Sequence, residues 1–250
     1  MKALCLMAAL CLPGLALAQT DAPVTSVGVF SERSDLDRGY ADWSEHTVRI
    51  QRLHGPRRST ELALARTSRF GLADTQIELS HVAPLSPSLV VTLQAGGSPT
   101  HRVLPRGFAG ASLQAEFAPG WLLHTSARHT RYDSNDVDRL GLMLERYVGH
   151  FGHSLEWAPT RALGERSNTF TWRSTWYPAD GRSVGVIASR GEEATEIGGG
   201  AIALADVRAL ALVARWRVSP QWTLTGALSR TRQGGFYTRT AVTAGVQRDF

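Results

Sequence analysis

The sequence predicts an all-β protein: a transmembrane, antiparallel, up-and-down β-barrel of about fourteen strands, or twelve if two of the segments below do not span. Three observations predict it. Short segments along most of the chain alternate apolar with polar residues, and side chains alternate faces with period 2 on a strand. The chain ends in Phe250, the usual last residue of a bacterial outer-membrane barrel. Beyond Ala18 no apolar run reaches the roughly 18 residues that a spanning helix needs. A membrane-spanning chain without such helices must close its strands, because hydrocarbon leaves no backbone polar group a water partner.

The first segment, Met1 to Ala18, has the form of a secretory signal: Lys2, an apolar run from Ala3 to Leu17, and small residues at Ala16 and Ala18. Cleavage is expected before Gln19, which leaves 19–250 as the barrel domain. Cys5 and Cys11 are the only cysteines and depart with the signal. Cys11 follows Leu10, where lipoprotein processing wants a small residue. The exported chain therefore has no disulfide, thiol nucleophile or thiolate metal site, and no cofactor or metal is expected. Net charge is +5 and the isoelectric point is about 9.8. Export removes nucleic acid as the explanation. The excess suits contact with outer-membrane lipid and lipopolysaccharide, or passage of small anionic solutes, since a one-signed field concentrates the opposite charge. Lys2 is the only lysine, so every basic residue after it is arginine.

Strand-sized segments of about 9 to 13 residues follow. Asp21 to Phe30 is the weakest and reads in part as a periplasmic lead-in. Trp43 to Leu53 sets Glu45, Thr47, Arg49 and Gln51 against Val48 and Ile50, and His54-Gly55-Pro56-Arg57 breaks it. Thr60 to Phe70 carries Leu62 and Leu64 opposite Glu61. Thr75 to Val82 carries Ile77 and Leu79 opposite Glu78, before a turn at Pro84 to Pro87. Leu89 to Ala95 and Ala109 to Phe117 flank a loop near Gly96 to Pro105. Trp121 to Tyr132 leaves the Pro119-Gly120 turn and ends at the polar tip Asp133 to Asp136. Leu140 to Glu145, Phe151 to Trp157, Asn168 to Tyr177 and Ser183 to Arg190 complete the middle. Gly191 to Ala205 reads as the longest connection, with Gly198-Gly199-Gly200 as loop flexibility or a kink. The alternation is clearest at the end. Leu210, Leu212, Ala214, Trp216 and Val218 oppose Ala209, Ala211, Val213, Arg215 and Arg217, and two further strands finish the chain.

Parity orients the barrel. With the C-terminus in the periplasm, the Pro/Gly turns fall on one side and the longer polar connections on the other. Trp121, Phe151, Trp176, Trp216 and Trp222 then lie near the turn side, where an aromatic girdle belongs. A soluble β-sandwich gives similar alternation, but would need two sheets with hidden edges and has no use for the terminal phenylalanine.

The face opposite the apolar stripe holds Glu45, Arg49, Glu61, Glu78, Glu116, Arg128, Glu145, Glu156, Arg173, Arg215, Arg217 and Arg239. Such residues either fill the lumen with cross-strand ion pairs or line a water-filled passage and set its selectivity. The carboxylates concentrate in the first two thirds of the chain and the arginines in the last third. Val242, Ala244, Val246 and Phe250 form the C-terminal signal that the barrel-assembly machinery reads during insertion. His124 and Ser126 share a face, so a base and a nucleophile could meet there. His150 and His153 fall on opposite faces, against a metal pair. No lipase or protease motif is present.

Three stretches carry a resemblance: Glu145-Arg146-Tyr147-Val148-Gly149, Arg215-Trp216-Arg217-Val218-Ser219-Pro220, and Thr231 to Arg239. They resemble the YaiO family of outer-membrane β-barrel proteins, over most of the mature chain and most strongly after Arg139. The resemblance implies a signal-directed outer-membrane barrel and supplies no catalytic residues. Arg248 departs from the assembly signal, whose third residue from the end is commonly hydrophobic. The expected function is a small passive channel or envelope-transport component and not an enzyme. The alternatives are a closed structural barrel presenting external loops, particularly Gly191 to Ala205, and a lipid-modifying enzyme.

Overall fold

The computed structural model describes residues 24–198 and 201–250, with only the backbone described at 196–198 and 201. The signal expected at 1–18 and part of the triple-glycine stretch lie outside those residues. Fourteen strands make up the fold: β1 (Val24–Leu36), β2 (Trp43–Gly55), β3 (Arg58–Arg69), β4 (Leu72–Ser86), β5 (Leu89–Gly97), β6 (Gly107–Ala118), β7 (Trp121–Arg131), β8 (Asp136–Val148), β9 (Phe151–Ala162), β10 (Glu165–Ala179), β11 (Arg182–Gly198), β12 (Ala201–Arg217), β13 (Trp222–Gln233) and β14 (Tyr237–Asp249). Each pairs antiparallel with its sequence neighbours, and β1 pairs with β14 to close the barrel. At the seam the Phe250 amide donates to the Thr25 carbonyl at 2.8 Å, and the Ser26 hydroxyl donates to Asp249 at 2.7 Å.

The alternation dictates which face meets lipid. Leu62, Leu64, Ile77, Leu79, Leu93, Leu142, Leu210, Leu212 and Leu228 are all exposed on the outer wall. Burial here is inverted relative to a soluble protein: the covered side chains are mostly small or polar and face inward, among them Ser34, Thr67, Asp74, Thr195 and Thr223. Fourteen strands about 4.8 Å apart, tilted near 40°, give a wall of about 28 Å diameter between backbones. Inward side chains of ordinary length cannot fill that width.

Several expectations are corrected. The first strand is no partial lead-in: β1 runs from Val24 to Leu36 and carries the seam. Its external half was hidden because Ser31, Arg33 and Asp35 point outward above the apolar band and break the lipid pattern. Other strands are longer than read, for the same reason: β4 begins at Leu72, β9 reaches Ala162 and β10 begins at Glu165. Pro84 lies inside β4, at a register shift that ends at Ser86. The external connections are not uniformly long, since 70–71 and 163–164 are two-residue turns. Positive φ at Gly71 (77°) and Gly164 (83°), with Phe70 and Leu163 also at positive φ, shows why glycine stands there.

The described residues of the expected loop, 191–198 and 201–205, are not loop but the outer parts of β11 and β12. β11 leaves β10 at Gly191, and β12 leaves β13 at Val207; from there the two strands pair only with each other. A side chain at Gly191 would stand 2.4 Å from the Asn168 carbonyl, so the parting is built around glycine. The free hairpin leans across the external mouth. Ala194 packs against Val137 and Ala162 on the inner wall of β8 and β9, with Ile202 and Tyr132 beside them. At its base it stays tied to the neighbouring β13, where Gln233 donates to Glu193 at 3.0 Å and Gly234 donates to the Asp206 carbonyl. The longest described connection, 98–106, also folds onto this end. Asp74 accepts from the amides of Val103 at 2.6 Å and Leu104 at 3.0 Å and from Arg102 at 3.4 Å, while His101 meets Asp133 at 3.1 Å.

Candidate functional site

The inner wall is built by parity. Glu45 and Arg49 face inward from β2, Glu61 from β3, Glu78 from β4, Arg128 from β7, Glu145 from β8, Glu156 from β9, Arg173 from β10, Arg215 and Arg217 from β12, and Arg239 from β14; within the apolar band their outward neighbours, such as Val48, Leu62, Ile77, Leu144 and Trp216, are exposed. Glu116 shares the inner face of β6 but sits at the periplasmic rim, where it accepts from the Gly120 amide at 3.2 Å and caps the turn. The same wall carries Glu32, Arg69, Asp74, Arg139, Glu193 and Asp249. With these added, the segregation of carboxylates from arginines along the chain is weaker than expected.

At the external end, Trp43 lies between two cations. Arg69 stands 5.1 Å and Arg239 5.3 Å from its ring, Phe70 and Tyr237 meet it edge-on, and Tyr40 meets those two rings edge-on in turn. Arg239 is held further by Glu32 at 3.6 Å, and Glu32 also accepts from Ser34 and Thr243. Glu45 accepts from Thr67 at 2.9 Å.

At mid-height the wall pairs charges across strands. Arg49 meets Glu61 at 3.2 Å and Arg139 meets Glu156 at 3.0 Å. Arg49 also lies over Phe30, and Arg128 lies over Phe108 at 3.8 Å. Both rings face the lumen and lie against glycines: side chains at Gly245 and Gly96 would stand 2.2 Å from Phe30 and 2.7 Å from Phe108. Glycine here leaves room for an aromatic ring flat on the wall.

The periplasmic half carries less compensated positive charge. Arg217 reaches Asp249 at 3.6 Å, but the buried Nε of Arg215 has no hydrogen-bond partner among the described residues. Asp249, Arg217 and Arg49 are the charges that face Arg215. Water reaches this wall, since the Arg49 and Arg217 side chains keep 42% and 30% of their exposure.

The histidines separate. His124 donates its Nε2–H to the Glu145 carboxylate at 2.9 Å, and no hydrogen bond joins it to Ser126 among the described residues. His153 points outward and stacks on Phe151. No group of three or more His, Cys, Asp or Glu suited to a metal exists among the described residues. The outer wall has its own order at the periplasmic edge. Arg146 lies over Trp121 at 4.7 Å, Arg182 over Trp216 at 4.9 Å, and Arg248 over Phe250 at 4.7 Å.

A closed antiparallel barrel, apolar outside, charged inside and girdled by aromatics, is an outer-membrane β-barrel. Its family follows from sequence: residues 24–196 match the YaiO membrane beta barrel domain, and the chain belongs to that family. None of the curated proteins matches the chain. Solved structures share the fold at low identity. An outer membrane channel from Pseudomonas putida F1 is 11% identical, with TM-score 0.60, over 95% of this chain and 99% of its own. The CymD monoaromatic hydrocarbon channel is 7% identical, with TM-score 0.59, over 92% and 88%. An anion-selective porin from Comamonas acidovorans is 8% identical, with TM-score 0.50, over 92% and 99%.

Proposed function

We propose that the barrel is a small passive channel whose lumen favours small anionic solutes. The observation that carries this reading is Arg215, whose buried Nε has no hydrogen-bond partner among the described residues and which shares one face of β12 with Arg217, with Asp249 as the carboxylate and Arg49 as the further cation that act on it. A fixed, incompletely neutralised charge inside a low-dielectric wall raises the local concentration of counter-ions. Glu45, Glu61 and Glu78 on the opposite wall give the passage a transverse field. The test is single-channel conductance of the refolded barrel in a planar bilayer, with a salt gradient, for wild type, Arg215→Gln and Arg215→Gln with Arg217→Gln. Steady conductance whose anion preference falls stepwise supports the reading; unchanged selectivity removes these arginines from it.

A closed structural barrel is the second reading, favoured by the β11–β12 hairpin across the external mouth and by inner-wall residues there such as Ala158 and Thr160 being covered. Silence from folded, inserted protein would favour it. No hydrogen bond joins His124 to Ser126 among the described residues, so no observation favours the lipid-modifying alternative.

A further inference from the structure

Arginines on the outer wall are distributed unevenly. At the periplasmic edge they stack on aromatic rings, as described above. At the external edge of β11 to β13 they stand opposite one another. Arg190 stands directly opposite Arg208, and Arg208 directly opposite Arg232, so three guanidinium side chains occupy one row across three strands. Arg230, opposite Leu210, begins the next row down. All four point outward and are exposed.

Directly opposed side chains on a sheet have Cβ atoms about 5 Å apart, and like charges there destabilise the pairing. Two carboxylates lie nearby. Asp206 meets Arg208 at 2.9 Å and Arg190 at 4.0 Å, and Glu192 stands opposite Asp206, above the row. The patch keeps a surplus of two positive charges. Elsewhere on this edge the cations are fewer or lie beside acids: Arg161 stands opposite Arg166 but also opposite Asp138, and Arg66 is a single cation opposite His46 and Thr75. Arg131 meets Asp136 at 3.5 Å, His129 meets Asp138 at 2.7 Å, and Arg33 meets Asp42 at 3.2 Å. The outward residues at the external ends of β4, β5 and β6 are Ala73, Thr75, Ala95, Gly97, Gly107 and Ala109.

Height decides what can reach the patch. From Val218, at the periplasmic edge, to Arg208 the strand rises ten residues, about 33 Å along its length and roughly 25 Å along the barrel axis. That is the height of the apolar band, so Arg208 stands where the outer leaflet's head groups begin. Only a lipid head group or an ion beside it reaches that surface.

We propose that Arg190, Arg208, Arg230 and Arg232 form a binding site for the phosphates of an outer-leaflet glycolipid, a bis-phosphorylated lipid of the lipid A type. Guanidinium forks bind phosphate oxygens bidentately, and the phosphate charge removes the repulsion within the row. The acyl chains then lie along Leu210, Leu212, Leu228 and Val242, which continue the same faces below and are exposed. This site does not depend on whether the lumen conducts.

The test is native mass spectrometry of the refolded barrel released from detergent micelles doped with bis-phosphorylated lipid A, with the same glycolipid stripped of phosphates, or with inorganic phosphate alone. Wild type retains the bis-phosphorylated lipid and not the stripped one. Arg190→Gln with Arg208→Gln, Arg230→Gln and Arg232→Gln loses roughly five-hundredfold in retention, given about a fivefold effect for each arginine at a charged lipid surface. Arg33→Gln with Arg66→Gln, Arg161→Gln and Arg166→Gln, which removes as many external arginines from other strands, retains lipid as wild type does. Equal retention by the first variant, or equal loss in the second, overturns the site. Displacement by millimolar inorganic phosphate overturns the lipid and leaves an anion site. Should the fourfold variant fail to fold, Arg208→Gln with Arg232→Gln is read in the same way.

Discussion

The guanidinium of Arg248 lies 4.7 Å from the ring centre of Phe250, and 5.5 Å from that of Trp222 on the neighbouring strand. Arg248 occupies the outward position, third from the end, where a hydrophobic residue is common, and these contacts explain how a cation is accommodated there. Its stem lies along the girdle while its charge stays at head-group level, and each cation–ring contact contributes about 0.5–1 kcal/mol at an exposed site. Arg248→Leu should therefore fold into lipid vesicles at nearly the wild-type rate, while Arg248→Glu should slow folding several-fold. The heat-dependent gel mobility of the folded barrel reports the rate. Equal rates for both variants would deny the stacked cation a role in assembly.

Phe30 and Gly245 give a reciprocal prediction. A methyl group at Gly245 would stand 2.2 Å from the Phe30 ring, and one at Gly28 would stand 2.7 Å from it. Gly245→Ala must displace the ring from the wall, at about 1–3 kcal/mol as for overpacked sites. Phe30→Ala combined with Gly245→Ala should recover most of that loss, because the obstacle has gone. Urea unfolding of wild type and both variants in vesicles measures it; a double variant no more stable than Gly245→Ala would show that the glycine serves something other than the ring.

Asp74 holds the connection 98–106 through two amides and Arg102, and its side chain is fully covered. Leaving buried amides without an acceptor costs about 1–3 kcal/mol each. Asp74→Ala should release the connection, and limited proteolysis of intact vesicles should cut near Arg102 or Arg106 in the variant while wild type resists. Asp74→Asn, which keeps one acceptor oxygen, should fall between them.

The barrel and its orientation were legible because lipid imposes a strict period: Leu210, Leu212, Ala214 and Trp216 against Ala209, Ala211, Val213 and Arg215 admit one assignment of faces. What the alternation missed lies where the wall leaves hydrocarbon. Arg33 and Asp35 on β1, or Glu192 and Asp206 on the β11–β12 hairpin, point outward into a polar layer, so inward and outward residues look alike. For the same reason Glu32, Asp74, Arg139 and Glu193 escaped the inner-wall reading, although extending each strand's parity by one to three residues would have found them. The partners within the lumen were not legible at all, since which carboxylate meets which arginine depends on register and on the closure of β1 against β14.

The β11–β12 hairpin offers the sharpest separation between an open and a closed barrel. Its ladders to β10 and β13 stop at Gly191 and Val207, so the wall does not need the residues beyond them. Its contacts with Val137 and Ala162 place it across the mouth. Replacing 192–206 with a two-residue Asn-Gly turn joins the paired ends with the backbone twist a hairpin prefers. The shortened barrel should still fold, as judged by gel mobility, and should conduct with a larger unitary step than wild type, because the pore's narrowest section sets its resistance. An unchanged step in a folded barrel would mean that the constriction lies lower, at the level of Arg49, Glu61 and Arg215.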